Sequence, residues 1–210
     1  MKPPVKFLNT DMAPNGDITQ WFGENPQLYA RFGINGHNGV DIVRPHGDPL
    51  YAIESGTVVS VKNDPHGFGK HLRFISKETD SKGYRREWTY GHNSKNYVKV
   101  GDVVFTGQHI ADIGNTGFVV SNSTGNGFWK INPFAGTHLH LGLRLVREHK
   151  NGWSYEGSPI KLDVINYQNG YKGAIDPRPF LEKIKSTAPK ENRSIFQQLL
   201  RLKDIINRFK

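Results

Sequence analysis

Residues 137–145 read Thr-His-Leu-His-Leu-Gly-Leu-Arg-Leu, so leucine alternates with other residue types along the stretch. Successive side chains of a β-strand point to opposite faces, which puts the leucines on one face and His138, His140 and Arg144 on the other. A shift of the pairing register by one residue would bury both histidines and expose the leucines. The stretch therefore predicts a strand with a leucine core face and an opposite face on which both imidazoles are available for a site.

Most of the chain before residue 178 indicates further short strands. With 23 glycines and 12 prolines in 210 residues, turn formers are too frequent for a helix bundle. Apolar or alternating runs between these turns predict strands at residues 40–43, 50–53, 56–62, 71–76, 86–90, 97–100 and 109–113. Residues 148–173 predict a hairpin or an irregular excursion, and residues 179–185 a short helix. The expected fold is all-β, with a two-sheet sandwich or barrel-like core and long loops.

The composition divides the chain into four segments. We expect an N-terminal segment (1–17), one folded domain (18–185), a polar linker (186–193) and a C-terminal amphipathic helix (194–210). The apolar residues of the last segment follow helical spacing: Ile195, Phe196, Leu199, Leu202, Ile205, Ile206 and Phe209. This helix could dock on its own domain, on a symmetry mate, on a partner protein or on an anionic membrane.

Composition and charge exclude several classes of protein. Cysteine is absent, which excludes disulfides, thiolate nucleophiles and cysteine-based zinc sites. The formal net charge of +9 would attract nucleic acid, anionic lipid or an anionic wall polymer. No basic arm, RNP pattern or helix-turn-helix pattern is present, so nucleic acid is not expected as a partner. No stretch approaches the ~20 apolar residues of a membrane span, and residues 1–14 lack the apolar core of an ordinary secretion signal.

Histidines and a carboxylate cluster at three places. His37 and Asp41 lie four residues apart, and a turn at Gly39 before a strand would let them converge on one point. The second place is His92, which follows the strand predicted at residues 86–90. The third is the pair His138 and His140 in the strand predicted at residues 137–145. Catalytic zinc sites without thiolates use imidazole and carboxylate ligands, three in number, and leave the fourth position to water.

These residues supply such a set, from His37, Asp41 and one of the two histidines His138 and His140. The other histidine of that pair and His92 could then act on the water or on a reacting carbonyl. Zinc lowers the pKa of a bound water to about 7, and a neutral imidazole nearby can take or relay a proton.

In order and spacing these residues resemble the lysostaphin-type, or LytM-type (β-lytic), zinc endopeptidases, which cut peptide bonds in bacterial peptidoglycan. The family carries a His-x-x-x-Asp motif, a lone histidine and a His-x-His motif, and this chain has all three in that order. Further segments at residues 56–58, 100–117 and 175–180 resemble the glycine-rich and closing motifs of the family. The resemblance covers roughly residues 18–181.

The resemblance implies a role for each residue. His37, Asp41 and His140 would bind one Zn²⁺ per chain, and His92 and His138 would be catalytic residues that do not bind the metal. It implies a two-sheet fold of the duplicated-hybrid-motif type with the metal on the floor of a groove, and it makes residues 18–185 the metallopeptidase domain.

The implied reaction is hydrolysis of peptide bonds in peptidoglycan stems or cross-bridges, by a cell-wall lysin that acts on the extracellular side. Because no signal peptide is evident, release during phage lysis, a place in a virion and a host origin all stay open as routes to the wall. A non-catalytic relative that binds wall or activates another hydrolase, a structural piece of a phage particle, and a nucleic-acid binder are the competing interpretations.

Several residues near the motifs keep more than one interpretation. The family carries an aromatic or cationic side chain before its first motif, and Tyr29, Arg31 and Phe32 are the candidates here. In the loop at residues 118–136, three aromatic side chains could wall the groove or hold the loop down: Phe128, Trp129 and Phe134. The histidines outside the motifs are expected on the surface: His46, His66, His71, His109 and His149.

Overall fold

A computed structural model describes residues 1–6, 8–13, 16–119 and 133–187, with side chains up to residue 184 in the last range. Its strands are β1 (Ile18–Gln20), β2 (Gly39–Ile42), β3 (Pro49–Tyr51), β4 (Gly56–Asp64), β5 (Gly69–Thr79), β6 (Arg85–Asn93), β7 (Lys95–Asn96), β8 (Val103–Val104), β9 (His109–Asp112), β10 (Leu139–Trp153) and β11 (Leu162–Val164). The helices are α1 (Pro26–Tyr29), a 3₁₀ turn (Ala30–Phe32) and α2 (Arg178–Thr187).

These strands form two antiparallel sheets. The large sheet has the order β1-β2-β10-β6-β5-β4-β8, with β11 paired to the far end of β10. The small sheet has the order β3-β9-β7. The expectation of a mostly β protein with two sheets is therefore confirmed.

The core lies between the two sheets, where the leucine face of β10 was expected to pack. Leu139, Leu141 and Leu143 are buried there together with Trp88 and Tyr90 of β6. The small sheet contributes apolar side chains to the same cluster, and so does the N-terminal segment: Leu50, Ile110, Ala111 and Val5. The opposite face of the large sheet is consequently left to polar side chains along most of its central strands.

The register of β10 departs from the alternation at its far end. Leu145 is only half-buried, whereas Val146 is fully buried in a second apolar cluster with Val59, Ile75 and Leu162. This cluster lies on the face opposite the main core, where Leu162 of β11 and the partly buried Tyr155 and Ile160 pack on that end of the sheet. The expectation for residues 148–173 is met by the hairpin formed by β10 and β11.

One predicted strand is wrong. Residues 97–100 alternate in the manner of a strand, but only Lys95 and Asn96 pair with β9. The chain then enters a turn in which the Lys99 amide donates to the Asp102 carboxylate and Gly101 has a φ of 92°. A left-handed residue at that point ends the extended conformation.

The helices agree with the sequence over the part of the chain that is described. The short helix expected at residues 179–185 is α2, which extends two residues into the linker predicted at 186–193. The rest of that linker and the amphipathic helix predicted at 194–210 lie outside the described residues. Within the described ranges, no helix is long and apolar enough to cross a membrane.

Candidate metal centre

Three potential ligands converge on the polar face of the large sheet. His140 of β10 lies directly opposite Asp41 of β2 in the antiparallel register, and His37 comes two residues before β2. Asp41 Oδ1 lies 3.1 Å from His37 Nε2 and 3.2 Å from His140 Nδ1. All three residues are buried, and their ligand atoms lie within 4.8 Å of one another. This is the spacing that a small divalent cation with nitrogen and oxygen ligands requires.

Backbone carbonyls orient three of the four site histidines. In each case a carbonyl oxygen accepts from an imidazole Nδ1: Trp21 from His37 at 3.2 Å, Thr116 from His92 at 2.8 Å and Gly136 from His138 at 2.7 Å. A carbonyl can only accept, so each Nδ1 carries the proton and the lone pair resides on Nε2. Carbonyl contacts of this kind commonly fix the tautomer and ring orientation of metal-site histidines.

His92 and His138 flank the three potential ligands. Their rings lie 4.7 Å apart, and the His92 ring lies 6.0 Å from that of His140. His138 Nε2 is 3.6 Å from Asp41 Oδ2. The five site residues predicted from sequence are thus brought together on one face of one sheet.

The backbone of His92 is in the left-handed region, with a φ of 64°. Such a conformation is uncommon for a residue other than glycine, and it costs roughly 1–2 kcal/mol. It occurs inside the last three residues of β6, which extends further than the strand predicted at 86–90. Strained residues of this type concentrate at functional sites.

Burial and mutual contact set the charge state of the centre. Burial raises the pKa of Asp41, but the neighbouring His138 and His37 outweigh it and hold that pKa well below its ordinary value. Burial is also the main reason that the pKa of His92 falls to about 3 and that of His140 to about 4. Near neutral pH, His92 and His140 are therefore neutral beside an ionised Asp41 carboxylate, and neutral imidazole and ionised carboxylate are the forms that bind a metal.

We expect the metal-free protein to lose stability as the pH falls from 6.5 to about 4. His92 and His140 are neutral when folded, whereas in the unfolded chain they take up protons below a pKa of about 6.5. Above pH 6.5 this difference in proton uptake therefore costs the folded protein almost no stability. By pH 5, each of the two histidines lowers the free energy of unfolding by about 2 kcal/mol. Urea unfolding at pH 7.5 and pH 5 measures this. His92→Gln should show the weaker pH dependence, and equal stabilities at the two pH values would contradict the prediction.

Gly39 has a role different from the expected turn. It is the first residue of β2, and a side chain there would meet the ring of His140. A Cβ atom on Gly39 would lie 2.6 Å from His140 Cε1 and 2.7 Å from the Leu141 carbonyl oxygen. The residue is therefore required for close packing beside a potential ligand.

Gly39→Ala should consequently weaken metal binding. The added methyl group must displace His140 or the β10 backbone, and disturbed ligand support typically lowers metal affinity about 10- to 100-fold. Competition with a chromogenic chelator measures the affinity. Gly83→Ala serves as a control, because its φ of 76° is strained for alanine while nothing lies near the added Cβ. Equal metal affinity in Gly39→Ala and in the unmodified protein would refute the packing role.

The structure distinguishes the three candidates that precede the first motif. The Tyr29 ring lies 5.3 Å from the His37 ring, and its hydroxyl donates to Gln20 at 3.0 Å. Burial, helped by the charge of Asp41, raises the pKa of that hydroxyl, so it stays protonated. Arg31 and Phe32 instead contact Phe118. Tyr29 is accordingly the candidate placed against the metal centre.

One of the histidines expected on the surface is buried. His71 of β5 is 6% exposed, and its Nδ1–H donates to the Gly69 carbonyl. Its strand, β5, is paired on both edges, and its side chain lies on the polar face of the large sheet. There the Phe68 ring packs against it, with the ring centroids 5.8 Å apart. The other four are exposed as expected: His46, His66, His109 and His149. Of the loop aromatics, Phe134 is exposed, and the remaining two lie outside the described residues.

Phe68 is a site neighbour that sequence reasoning missed. Its ring lies 4.8 Å from that of His140 and 6.4 Å from that of His92. The Phe68 carbonyl also accepts the backbone N–H of His92. A lone phenylalanine between turn residues carries no sequence signal for such a position, and the backbone carbonyls that orient the histidines carry none either.

Comparisons with known proteins agree on one group. Residues 35–154 match the family described as Peptidase family M23. The chain is 42% identical to lysostaphin of Staphylococcus staphylolyticus over 76% of its length, and 40% identical to the glycyl-glycine endopeptidase ALE-1 of Staphylococcus capitis over 67%. These matches cover 30% and 36% of the relatives, so the chain spans about a third of the curated relatives it matches. A crystal structure of the catalytic domain of lysostaphin from Staphylococcus simulans aligns over 80% of this chain and 93% of its own, with 29% identity and a TM-score of 0.51.

Proposed function

Because the chain belongs to peptidase family M23 and is of the lysostaphin and LytM type, we propose that it is a zinc endopeptidase that hydrolyses peptide bonds in peptidoglycan stems or cross-bridges. The observation that carries the proposal is the convergence of His37, Asp41 and His140, with two further histidines beside them. The similarity to lysostaphin and to a glycyl-glycine endopeptidase supports a peptide substrate from the cell wall. We assign the activity to residues 18–185.

The donor set fits a single zinc ion. Two imidazole nitrogens and one carboxylate oxygen match the ligands of catalytic zinc sites, which leave one position open. The ligand atoms already lie within 4.8 Å of one another, and the protonated Nδ1 of His37 directs its Nε2 toward Asp41. His37, Asp41 and His140 would therefore hold the metal. A bound zinc ion supplies Lewis acidity and lowers the pKa of a coordinated water to about 7.

His92 and His138 are the catalytic residues of this proposal. Each keeps its proton on Nδ1 through a backbone carbonyl, so each presents Nε2 beside the ligand cluster. His92 stays neutral near pH 7 because its pKa is about 3 in the buried site. A neutral imidazole can accept a proton there, and once protonated it can donate to an oxyanion or to the leaving amine.

The surface charge suits the same substrate. A formal net charge of +9 favours approach to an anionic polymer such as the bacterial wall. We therefore place the action of the protein at the cell wall, on the extracellular side.

The deciding experiment is mass spectrometry of fragments released from purified peptidoglycan of several cross-bridge types. The zinc-loaded protein should release fragments with new amino and carboxyl ends, and a zinc chelator should stop the release. The identity of the new ends names the bond that is cut. Failure to release fragments from any wall, with zinc content verified, would overturn the proposal.

A further inference from the structure

A second group of polar side chains lies on the same face of the large sheet as the metal centre. It consists of Arg73 of β5, Glu87 of β6, Arg144 of β10 and Tyr155, which follows β10, and we call it the arginine cluster. These residues come from well-separated parts of the chain, so the sequence indicated no relation among them. None of them has a part in the proposed hydrolytic step.

The arginine cluster contains more positive than negative charge. Glu87 is fully buried, and its Oε1 lies 3.5 Å from Arg73 Nη1 and 3.8 Å from Arg144 Nη1. The Tyr155 hydroxyl donates to Glu87 Oε2 at 2.9 Å and accepts from Arg73 at 2.7 Å. Within the described residues, Glu87 is the one carboxylate that contacts either guanidinium. Two guanidinium groups therefore share one carboxylate, which leaves one positive charge in excess.

Both guanidinium groups also have hydrogen-bonding capacity left over. Arg73 is 9% exposed, and its Nε is buried without a hydrogen-bond partner among the described residues. Arg144 donates no side-chain hydrogen bond to any described residue, and its contact with Glu87 is longer than a hydrogen bond. An unused donor on a buried charged group is costly, and an anion that accepted the hydrogen bond of Arg73 would remove that cost. Arg144 is half-buried, so its guanidinium is accessible to an anion from outside.

A small pocket is lined by both arginines of the cluster and by one residue of the metal centre, His140. Its lining includes Arg73, Arg144, Thr89, Phe68 and His140. A single phenyl ring separates the two groups, since Phe68 lies 4.8 Å from the His140 ring and 5.6 Å from the Arg73 guanidinium carbon. Along β10, Arg144 follows His140 by four residues, which is about 13 Å at ~3.3 Å per residue.

From this geometry we propose that Arg73 and Arg144 form a subsite for a carboxylate of the substrate peptide, about four residues from the scissile bond. The carboxylate would be a free C-terminus or an acidic side chain, and the planar fork of a guanidinium matches its two oxygens. The inference rests on the proposed function for the identity of the ligand as a wall peptide. It adds that the protein selects peptides that carry this negative charge.

The test compares two forms of one ligand on the zinc-loaded protein. Uncross-linked muropeptides are used as purified and after conversion of their carboxylates to carboxamides, and calorimetry measures each dissociation constant. The carboxylate form should bind about tenfold more tightly, as expected when charge-assisted hydrogen bonds are lost on amidation. Equal affinities for the two forms in the unmodified protein would overturn the proposal without any variant having to fold.

Arg144→Gln assigns the preference to the arginine cluster. This variant should bind both forms with nearly equal affinity, while Arg147→Gln, an exposed position on the same strand, should keep the tenfold preference. A full tenfold preference that persists in Arg144→Gln would show that Arg144 takes no part in it and would also overturn the proposal. A merely structural role for Arg144 would weaken binding of both forms alike.

Measurement of hydrolysis distinguishes a failure of this inference from a failure of the proposed function. Cross-linked muropeptides in the two forms should show the same preference in kcat/KM. If the protein binds muropeptides with the predicted preference but cuts none, the subsite stands and the proposed function fails. If it cuts both forms equally well and binds both equally, the proposed function stands and the subsite fails.

Discussion

His140→Ala should lose both the bound zinc and the hydrolytic activity. His140 lies opposite Asp41 in the paired strands, and its Nδ1 is 3.2 Å from the Asp41 carboxylate. Alanine leaves two of the three ligands that catalytic zinc sites use, so the zinc content should fall from about one per chain to near zero. Because the metal supplies several kcal/mol of transition-state stabilisation, release of wall fragments should fall at least about a thousandfold.

The measurements are zinc content by mass spectrometry and the rate of fragment release from purified wall. His149→Ala is the matched control, because His149 lies on the same strand with its side chain 51% exposed. It should keep both the zinc and the activity of the unmodified protein. Full zinc occupancy in a folded His140→Ala protein would remove His140 from the ligand set.

His92→Ala should keep the zinc and lose most of the activity. His92 contacts the rings of His138 and His140 but lies outside the group of three whose ligand atoms converge. Its Nδ1–H is held by the Thr116 carbonyl, which leaves Nε2 for proton transfer. Loss of a positioned general acid or base typically costs about 10²- to 10⁴-fold in rate, and we expect a fall of that size in kcat.

Two further variants distinguish a loss of catalysis in His92→Ala from a loss of folded protein. His92→Asn tolerates the φ of 64° better than alanine does, so it should lose activity with less loss of stability. His71→Gln removes another buried histidine whose Nδ1–H donates to a backbone carbonyl, and it should leave kcat nearly unchanged. A fully active His92→Ala protein would show that His92 has no catalytic role.

Much of the sheet could be predicted from local pattern. The alternation in residues 137–145 predicted the core face of β10 correctly, because a one-residue slip there would bury the histidines and expose the leucines. The pattern was less informative at Leu145 and Val146, where burial changes face. That change depends on Leu162, which comes from the returning strand of the hairpin. The alternation within a single strand carries no information about a partner from another strand.

The metal centre was largely predictable from residue type and order. Imidazole and carboxylate groups at His37, Asp41 and His140 are chemically distinctive, and their spacing is informative in a chain without cysteine. What the residues alone left open was which histidine of the 138–140 pair belongs to the ligand cluster. The register favours His140, since His140 pairs with Asp41 whereas His138 precedes the strand and its Nε2 lies 3.6 Å from the carboxylate.

The sequence by itself determined the strand-rich architecture, the core face of β10 and the set of side chains that could hold a metal. These follow from periodicity and from side-chain chemistry, both of which are local properties. Only the tertiary structure decided that Gly39 must lack a side chain, that His71 is buried, and that Arg73 and Arg144 share one carboxylate. Each of these depends on close approach between residues far apart in the chain. Steric exclusion, desolvation and charge balance depend on which groups pack together in three dimensions, and the linear order of residues does not specify this.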